Sequence, residues 1–457
     1  MLRVAVVGSG YVGLVSAVCF AELDHRVMSV DNDSTKLESL RSGEVPIHEK
    51  LLRELLQRHL GKNVTFSGDI EDAVRWADVV FITVGTPSTK LGEADLSYVE
   101  AVVRRIAAAI DGDKKLIVEK STVPVRTCEQ LRRSLQLYGC APELFSVASN
   151  PEFLREGSAV MDFLCPDRIV IGVDDEYSEA LLREIYRPLT DGSYYKRVAT
   201  PSANIQAPPR LLVTSAKSAE LIKHASNAFL AMKISFINAV AEVTEAVGAD
   251  IGQICEGIGS DARIGSKFLN PGIGYGGSCF PKDVNAFKAV AKSVGYEFGL
   301  LTEVMLINEE QRVRFIQKIR RALWTLRGKR IATLGLAFKG GTDDIRESPA
   351  IDIIERLIAE GVNVVAFDPA AMDRAREYFA GATGVSFVDS PYQAIDNADA
   401  LVILTEWQEF AELDLVRVKR LLKLPIVIDG RNLYAIEAMQ KARLIYHSIG
   451  RRAIGET

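Results

Sequence analysis

The sequence predicts an α/β fold in which two parallel-sheet domains are joined by a central helical segment. Three observations carry this: a glycine-punctuated strand, turn and helix at the N-terminus, a long proline-free helical stretch in the middle, and a return of the opening pattern from about residue 325.

The opening "RVAVVGSGYVGLVSAVCFAELDHRVMSVDND" reads as an apolar strand, the turn Gly8-Ser9-Gly10-Tyr11-Val12-Gly13, a helix, and a second strand ending at Asp31. In a Rossmann unit the first glycine makes the tight turn. The second lets the backbone approach a pyrophosphate at the helix N-terminus, and the third lets helix and strand pack closely. Asp31 stands where a carboxylate bonds a ribose 2′-hydroxyl and repels a 2′-phosphate, which predicts NAD rather than NADP. Gly8, Gly10, Tyr11, Val12, Gly13, Asp31 and Lys36 are the candidate cofactor residues.

Three further apolar runs, "ADVVFITVGTP", "KLIVEKSTVP" and "LFSVASNPEFL", end in small or polar residues with helical patterns between them. In such sheets ligands bind beyond the carboxyl ends of the strands, so Thr86, Thr122 and Glu152 fall at the expected site. Residues 190 to 214, rich in Pro, Ser, Thr and Ala, read as a connection. The first domain is thus placed at 1–212 as a Rossmann domain for NAD.

The central domain, 213–324, opens with a helix over about 215 to 248. At 100° per residue its Lys223, Asn227, Ile234 and Asn238 lie within about 60° of one another. From residue 325 to 457 the opening pattern recurs: "KRIATLGLAFKG" resembles the first strand, "VNVVAFDP" the second with Asp368 at its end, and "ADALVILTEW" the run "ADVVFITVGTP". This Rossmann-like copy lacks the GxGxxG turn and is expected to hold something other than a dinucleotide. Two such domains around a helical middle predict a cleft between them.

Composition bounds the function. The 457 residues are 48% hydrophobic and 25% charged, with net charge −5, pI about 5.8 and mean hydropathy +0.09. That suits a soluble protein with two or three cores and gives no basic excess for nucleic acid or an anionic membrane. No apolar run is long enough to span a bilayer and no export signal opens the chain, so a cytoplasmic location is expected. Six scattered cysteines without a CxxC pair indicate neither a metal site nor a disulfide scaffold.

One cysteine stands apart. Cys279 lies in "GYGGSCFPKD", inside a glycine-rich turn. Taking a primary alcohol to an acid needs two hydride losses, and the intermediate aldehyde must first gain a nucleophile. A thiolate supplies one, passing through a thiohemiacetal to a thioester that water hydrolyses. The glycines are expected to admit substrate closely, and Lys282 to favour the thiolate if it faces it.

The stretches GSGYVGL, VGTP, EKSTVPV, SNPEFLREGSA, SAELIKHASNAFLAMKISFIN, GIGSDARIGSKFLNPGIGYGGSCFPKD and AFKGGTDDIRESPA resemble, in order and spacing, the nucleotide-sugar 6-dehydrogenases, most nearly the UDP-glucose branch. The resemblance covers essentially the whole chain. It implies an NAD-dependent oxidation of UDP-glucose to UDP-glucuronate with Cys279 as nucleophile. Lys223 and Asn227 then stabilise the oxyanion, Asp283 works with a water in proton transfer, and Thr122 and Glu152 position and activate the hydrolytic water. Glu156 and Arg346 match cofactor neighbours, alongside Thr86 and Thr122. Phe153, Leu154, Phe268, Leu269, Gly274 and Gly276 match the surroundings of the nucleotide sugar, Phe338 and Lys339 its uridine and diphosphate contacts, and Arg431 of "DGRN" is a further candidate. Arg263 matches an arginine that reaches the partner subunit's site, implying a homodimer or higher oligomer.

Departures from the family pattern are Ala239, His224, the pair Gly340-Gly341, and a longer segment over 197–210. GDP-mannose and UDP-N-acetylhexosamine 6-dehydrogenases share the chemistry and remain alternatives. A non-catalytic dinucleotide-sensing protein would not need Lys223, Cys279 and Asp283 together, and a thiol-dependent acyltransferase leaves the NAD fingerprint unexplained.

Overall fold

The computed structural model describes residues 1–87, 94–197 and 207–455, and divides into two compact units. The first comprises Met1–Ser226 and Asn285–Val294, the second Asn227–Val284 and Gly295–Thr457.

Eight strands make the sheet of the first unit: β1 Arg3–Val7, β2 Arg26–Val30, β3 Val64–Ser67, β4 Val79–Ile82, β5 Lys115–Glu119, β6 Phe145–Ser149, β7 Arg168–Gly172 and β8 Arg210–Thr214. Their order is β3-β2-β1-β4-β5-β6-β7-β8. Neighbours run parallel except β6 and β7, which meet antiparallel at Ser149 and Gly172. The order reverses between β1 and β4, which sets the loops after those two strands side by side as a ligand crevice.

β4 is buried along its whole length, which is why it reads as an unbroken apolar run rather than an alternating one, and β5 is buried likewise, with Leu116, Ile117 and Val118 between Lys115 and Glu119. The helix Tyr11–Glu22 is buried from Gly13 onward, with the Phe20 ring 4.7 Å from Phe81 and 5.2 Å from Phe163. Such packing fixes the end of the helix that starts at the glycine turn.

The expected connection over 190–214 is only partly irregular. Ser193–Arg197 is helical, and Arg210–Thr214 forms β8, paired with β7 from Arg168↔Arg210 to Gly172↔Thr214. A five-residue edge strand after two prolines carries too short a period to stand out, and its partner, not its own sequence, makes it a strand. Most of the longer segment at 197–210, from 198 to 206, lies outside the described residues.

In the second unit β9 Arg330–Leu334, β10 Asn363–Phe367, β11 Val385–Phe387, β12 Ala400–Ile403, β13 Ile426–Asp429 and β14 Ile445–His447 form an all-parallel sheet in the order β11-β10-β9-β12-β13-β14. This repeats the order of the first six strands of the other sheet, and the repeat extends to the turn. Gly8 has φ +101° and its N–H bonds Val30 O at 2.8 Å; Gly335 has φ +102° and its N–H bonds Phe367 O at 2.8 Å.

The copies part at the acid. Asp368 Oδ2 accepts from Leu336 N at 2.7 Å, as Asp31 Oδ2 does from Ser9 N at 2.8 Å, but its further donors are Ala337 N and Trp407 Nε1, both at 3.2 Å, where Asp31 has Lys36. Among the described residues no helix is long and apolar enough to cross a membrane.

The long helix expected near 215 to 248 is Ala216–Val247, of which Ala216–Ser226 belongs to the first unit and the remainder to the second.

Candidate active site

In the first unit, the turn after β1 is shaped for an anion. A Cβ on Gly13 would lie 1.8 Å from Gly8 O, and one on Gly8 would lie 2.9 Å from Thr83 O, whereas one on Gly10 would meet nothing within 4 Å. Gly10 caps the helix Tyr11–Glu22 without a side-chain bond, leaving its positive end to an outside acceptor. These residues fit a dinucleotide's pyrophosphate. At the end of β2, Asp31 accepts from Ser9 N at 2.8 Å, Asp33 N at 3.0 Å and Lys36 Nζ at 3.0 Å. Burial alone would push this carboxyl up, but those bonds and the Lys36 charge bring it below its ordinary value and keep it ionised.

Tyr11 has a role that no sequence motif announces. Its hydroxyl bonds Glu49, and Gly157 N donates to both Tyr11 Oη and Glu49 Oε2 at 2.8 Å. Val12 is half-buried beside it. The glycine turn is thereby tied to the 152–158 loop, which carries Glu152, Phe153, Leu154 and Glu156. Thr86 joins another loop to the same region, its hydroxyl donating to Thr122 O at 2.8 Å.

Glu152 and Lys223 meet here. Lys223 Nζ is 2.8 Å from Glu152 Oε1, Glu152 Oε2 accepts from Leu154 N at 2.6 Å, and the ammonium stands 5.5 Å from the centre of the Phe153 ring. Next to them lies a second buried amine that the sequence reading passed over. Lys120 donates to Asn150 Oδ1 at 3.0 Å, the same oxygen that Tyr186 Oη reaches at 2.5 Å. Burial lowers Lys120 to about 8, against the opposing pull of Glu152. His224, one of the departures, turns its Nε2 to Val123 O at 2.7 Å.

The second unit holds the thiol. Cys279 immediately precedes the helix Phe280–Ser293, its carbonyl accepting the first helical bond from Asp283 N at 2.8 Å. The positive end of that helix favours an anionic sulfur there. Asp283, on the helix's first turn and fully buried, accepts from Asn227 Nδ2 at 2.5 Å. Lys282 Nζ lies 3.4 Å from Asp283 Oδ1.

The glycines of the loop face the chain itself. A Cβ on Gly276 would lie 2.1 Å from Glu347 O, and one on Gly277 would lie 2.8 Å from the Phe338 ring. The loop is thus seated on the 338–347 segment, where Gly277 N also bonds Arg346 O at 3.1 Å. Arg346 pairs with Asp344 at 2.6 Å, and Lys339 Nζ lies 5.5 Å from the centre of the Phe338 ring. Arg431 donates to Leu404 O at 2.9 Å, Phe338 O at 3.1 Å and Gly274 O at 3.4 Å, so its guanidinium laces three loops together. Leu269 is buried and Phe268 adopts φ +65°, its ring 6.2 Å from Phe280. Arg263 is exposed and pairs with Asp261 at 2.6 Å.

Comparison with known proteins bears on the whole chain. Residues 2–190 match the NAD binding domain of the UDP-glucose/GDP-mannose dehydrogenase family, 217–310 its central domain, and 332–436 its UDP binding domain. The UDP-glucose 6-dehydrogenase TuaD of Bacillus subtilis (strain 168) is 45% identical over 458 residues, covering 100% of this chain and 95% of that protein. The UDP-glucose 6-dehydrogenase of Rhizobium meliloti (strain 1021) is 44% identical, covering 98% and 100%. Among solved structures, the UDP-glucose dehydrogenase of Pyrobaculum islandicum superposes with TM-score 0.87 at 39% identity, covering 99% of this chain and 98% of that one. The UDP-D-ManNAc dehydrogenase of Pyrococcus horikoshii gives 0.83 at 28% identity with full coverage of both.

Proposed function

Because the chain belongs to the UDP-glucose/GDP-mannose dehydrogenase family, an NAD-dependent oxidoreductase family, we propose that it oxidises C6 of UDP-glucose twice, giving UDP-glucuronate. The observation that carries the four-electron reading is a thiol at a helix N-terminus, in a chain that also holds a buried ammonium and carboxylate pair. NAD, held by Gly8, Gly10, Gly13, Tyr11 and Asp31, supplies the hydride acceptor for each oxidation when bound.

Asp283, oriented by Asn227, takes up the proton of the C6 hydroxyl through a water as the alcohol becomes an aldehyde. The Cys279 thiolate then adds to the aldehyde carbon, and Lys223 and Asn227 hold the oxyanion of the thiohemiacetal. Loss of the second hydride from that carbon leaves a thioester on Cys279. Glu152, with Thr122, takes a proton from water, which attacks the carbonyl; the C–S bond breaks, the acid leaves and the thiolate is restored. Overall, one alcohol and one water yield a carboxylate, two hydrides and three protons.

Phe338, Lys339 and Arg431 are the proposed uridine-diphosphate contacts, and the 268–276 loop encloses the sugar. The protein is further proposed to act in the cytoplasm as a homodimer, with Arg263 reaching its partner. Phe229, Phe236 and Val243, spaced seven residues apart on the long helix, are all more than half exposed and offer the apolar face for it.

The test is the yield of NADH from limiting UDP-glucose, GDP-mannose and UDP-N-acetylglucosamine in parallel. Two NADH per UDP-glucose, with little from the others, is expected. A yield of one, or a better yield from another sugar nucleotide, contradicts the assignment.

A further inference from the structure

The backbone that leads to Cys279 is held by three buried carboxamides from two helices. Asn238 Oδ1, on Ala216–Val247, accepts from Gly272 N at 2.8 Å, and Gln311 Nε2, on Gly299–Leu323, donates to Gly272 O at 2.8 Å. Asn308, also on Gly299–Leu323, takes both groups of one residue: its Oδ1 accepts from Tyr275 N at 2.8 Å and its Nδ2 donates to Tyr275 O at 3.1 Å. The three side chains are 0%, 1% and 5% exposed. A single carboxamide here replaces the neighbouring strand that a buried backbone would otherwise need.

The fit is reciprocal. Gly274 has φ +103°, and a Cβ there would lie 2.7 Å from Asn308 Oδ1. The amide and the left-handed glycine therefore require each other. From Tyr275 the constraint reaches the thiol by two routes. The chain runs four residues on to Cys279, and the Tyr275 ring packs edge-on against Phe280, centroids 5.9 Å apart, in the first turn of the helix Cys279 precedes.

We propose that Asn308 is a positioning residue for the reaction, fixing Tyr275 so that Cys279 is held at the helix N-terminus where the aldehyde must be captured. This rests on the reading of Cys279 as nucleophile. Misplacing a reacting atom by about 1 Å costs up to about a hundredfold in rate, so a loop that merely stays folded does not suffice.

The experiment compares the full-length protein with Asn308→Ala and with Asn308→Asp, which keeps size and the acceptor but loses the donor. First, the cofactor-free proteins are alkylated with iodoacetamide, and Cys279, Cys165 and Cys255 are quantified by peptide mass spectrometry. The account expects Cys279 to change its rate about tenfold or more while Cys165 and Cys255, both half-buried, keep theirs. Second, kcat should fall with KM for NAD unchanged, and NADH per sugar nucleotide consumed should drop from two toward one as uncaptured aldehyde escapes. If the Ala variant does not fold, Asn308→Asp and Gly274→Ala, whose methyl would press on Oδ1, test the same contact. Unchanged Cys279 alkylation and unchanged stoichiometry in a folded variant overturn the proposal, as does a parallel change at all three thiols, which would be general loosening. Parental turnover by Cys279→Ser would instead overturn the nucleophile assignment, and the alkylation rates would still report whether Asn308 sets the loop.

Discussion

Lys223 Nζ lies 2.8 Å from Glu152 Oε1, and the two side chains are only 5% and 4% exposed. Burial pushes the Glu152 carboxyl up, but the Lys223 charge, its hydrogen bond and the Leu154 N–H outweigh it and hold the group below its usual range. The carboxylate is thus ionised yet weakly basic while Lys223 faces it. In the proposed mechanism, an ammonium drawn to the oxyanion would leave the same carboxylate a stronger base for hydrolysis.

Removing one partner should therefore cost more than removing both. Lys223→Met leaves an uncompensated buried carboxylate, a loss of about 3–5 kcal/mol, whereas Lys223→Met with Glu152→Gln leaves two neutral groups. A denaturant double-mutant cycle is expected to give a coupling at least as large as the loss from the single substitution, about 3 kcal/mol or more, and additive effects would show that the pair does not interact. Glu152 has a folded value depressed below 4.5, so its contribution is present above that pH and is lost as the pH falls through the folded value.

Glu119, at the end of β5, carries the opposite sign. Burial raises it to about 8 from 4.5, although Ser121 N donates to its Oε1 at 2.8 Å. The unfolded chain ionises near 4.5 and the folded one only near 8, so the stability cost grows across that window and is constant above it. Glu119→Gln, which keeps the acceptor for Ser121, should melt like the parent at pH 4.5 and several degrees higher at pH 8.5. An equal difference in Tm at both pH values would mean that Glu119 is ionised in the folded protein.

Asp31 is the residue proposed to set the choice of dinucleotide. The carboxylate, held ionised by three donors, should disfavour a 2′-phosphate, and Asp31→Ala should narrow the ratio of kcat/KM for NAD over NADP by about tenfold or more. A parent enzyme that uses both equally would remove that role from Asp31.

What was legible in the sequence was local or periodic. Gly8, Gly10 and Gly13 sit at fixed offsets around one turn, and the apolar runs of β1, β4, β5 and β6 are bounded by polar residues. The duplication was readable because β9, β10 and β12 repeat the register of β1, β2 and β4. The contacts that organise the site were not, because they join residues far apart in the chain with no period to signal them. Tyr11 opens a helix while Glu49 and Gly157 lie in two separate loops, and Asn308 looks like any polar residue on an amphipathic helix until Gly274 is seen against it.

The most direct measurement of the covalent scheme is the intact mass of Glu152→Gln after mixing with UDP-glucose and NAD. The substitution keeps the size of the side chain and removes the base, so the thioester on Cys279 should form and persist as a uridine-diphosphate sugar adduct of the protein, absent as a thioester from Cys279→Ser. A Glu152→Gln protein that shows no adduct and turns over near the parent rate would contradict the account.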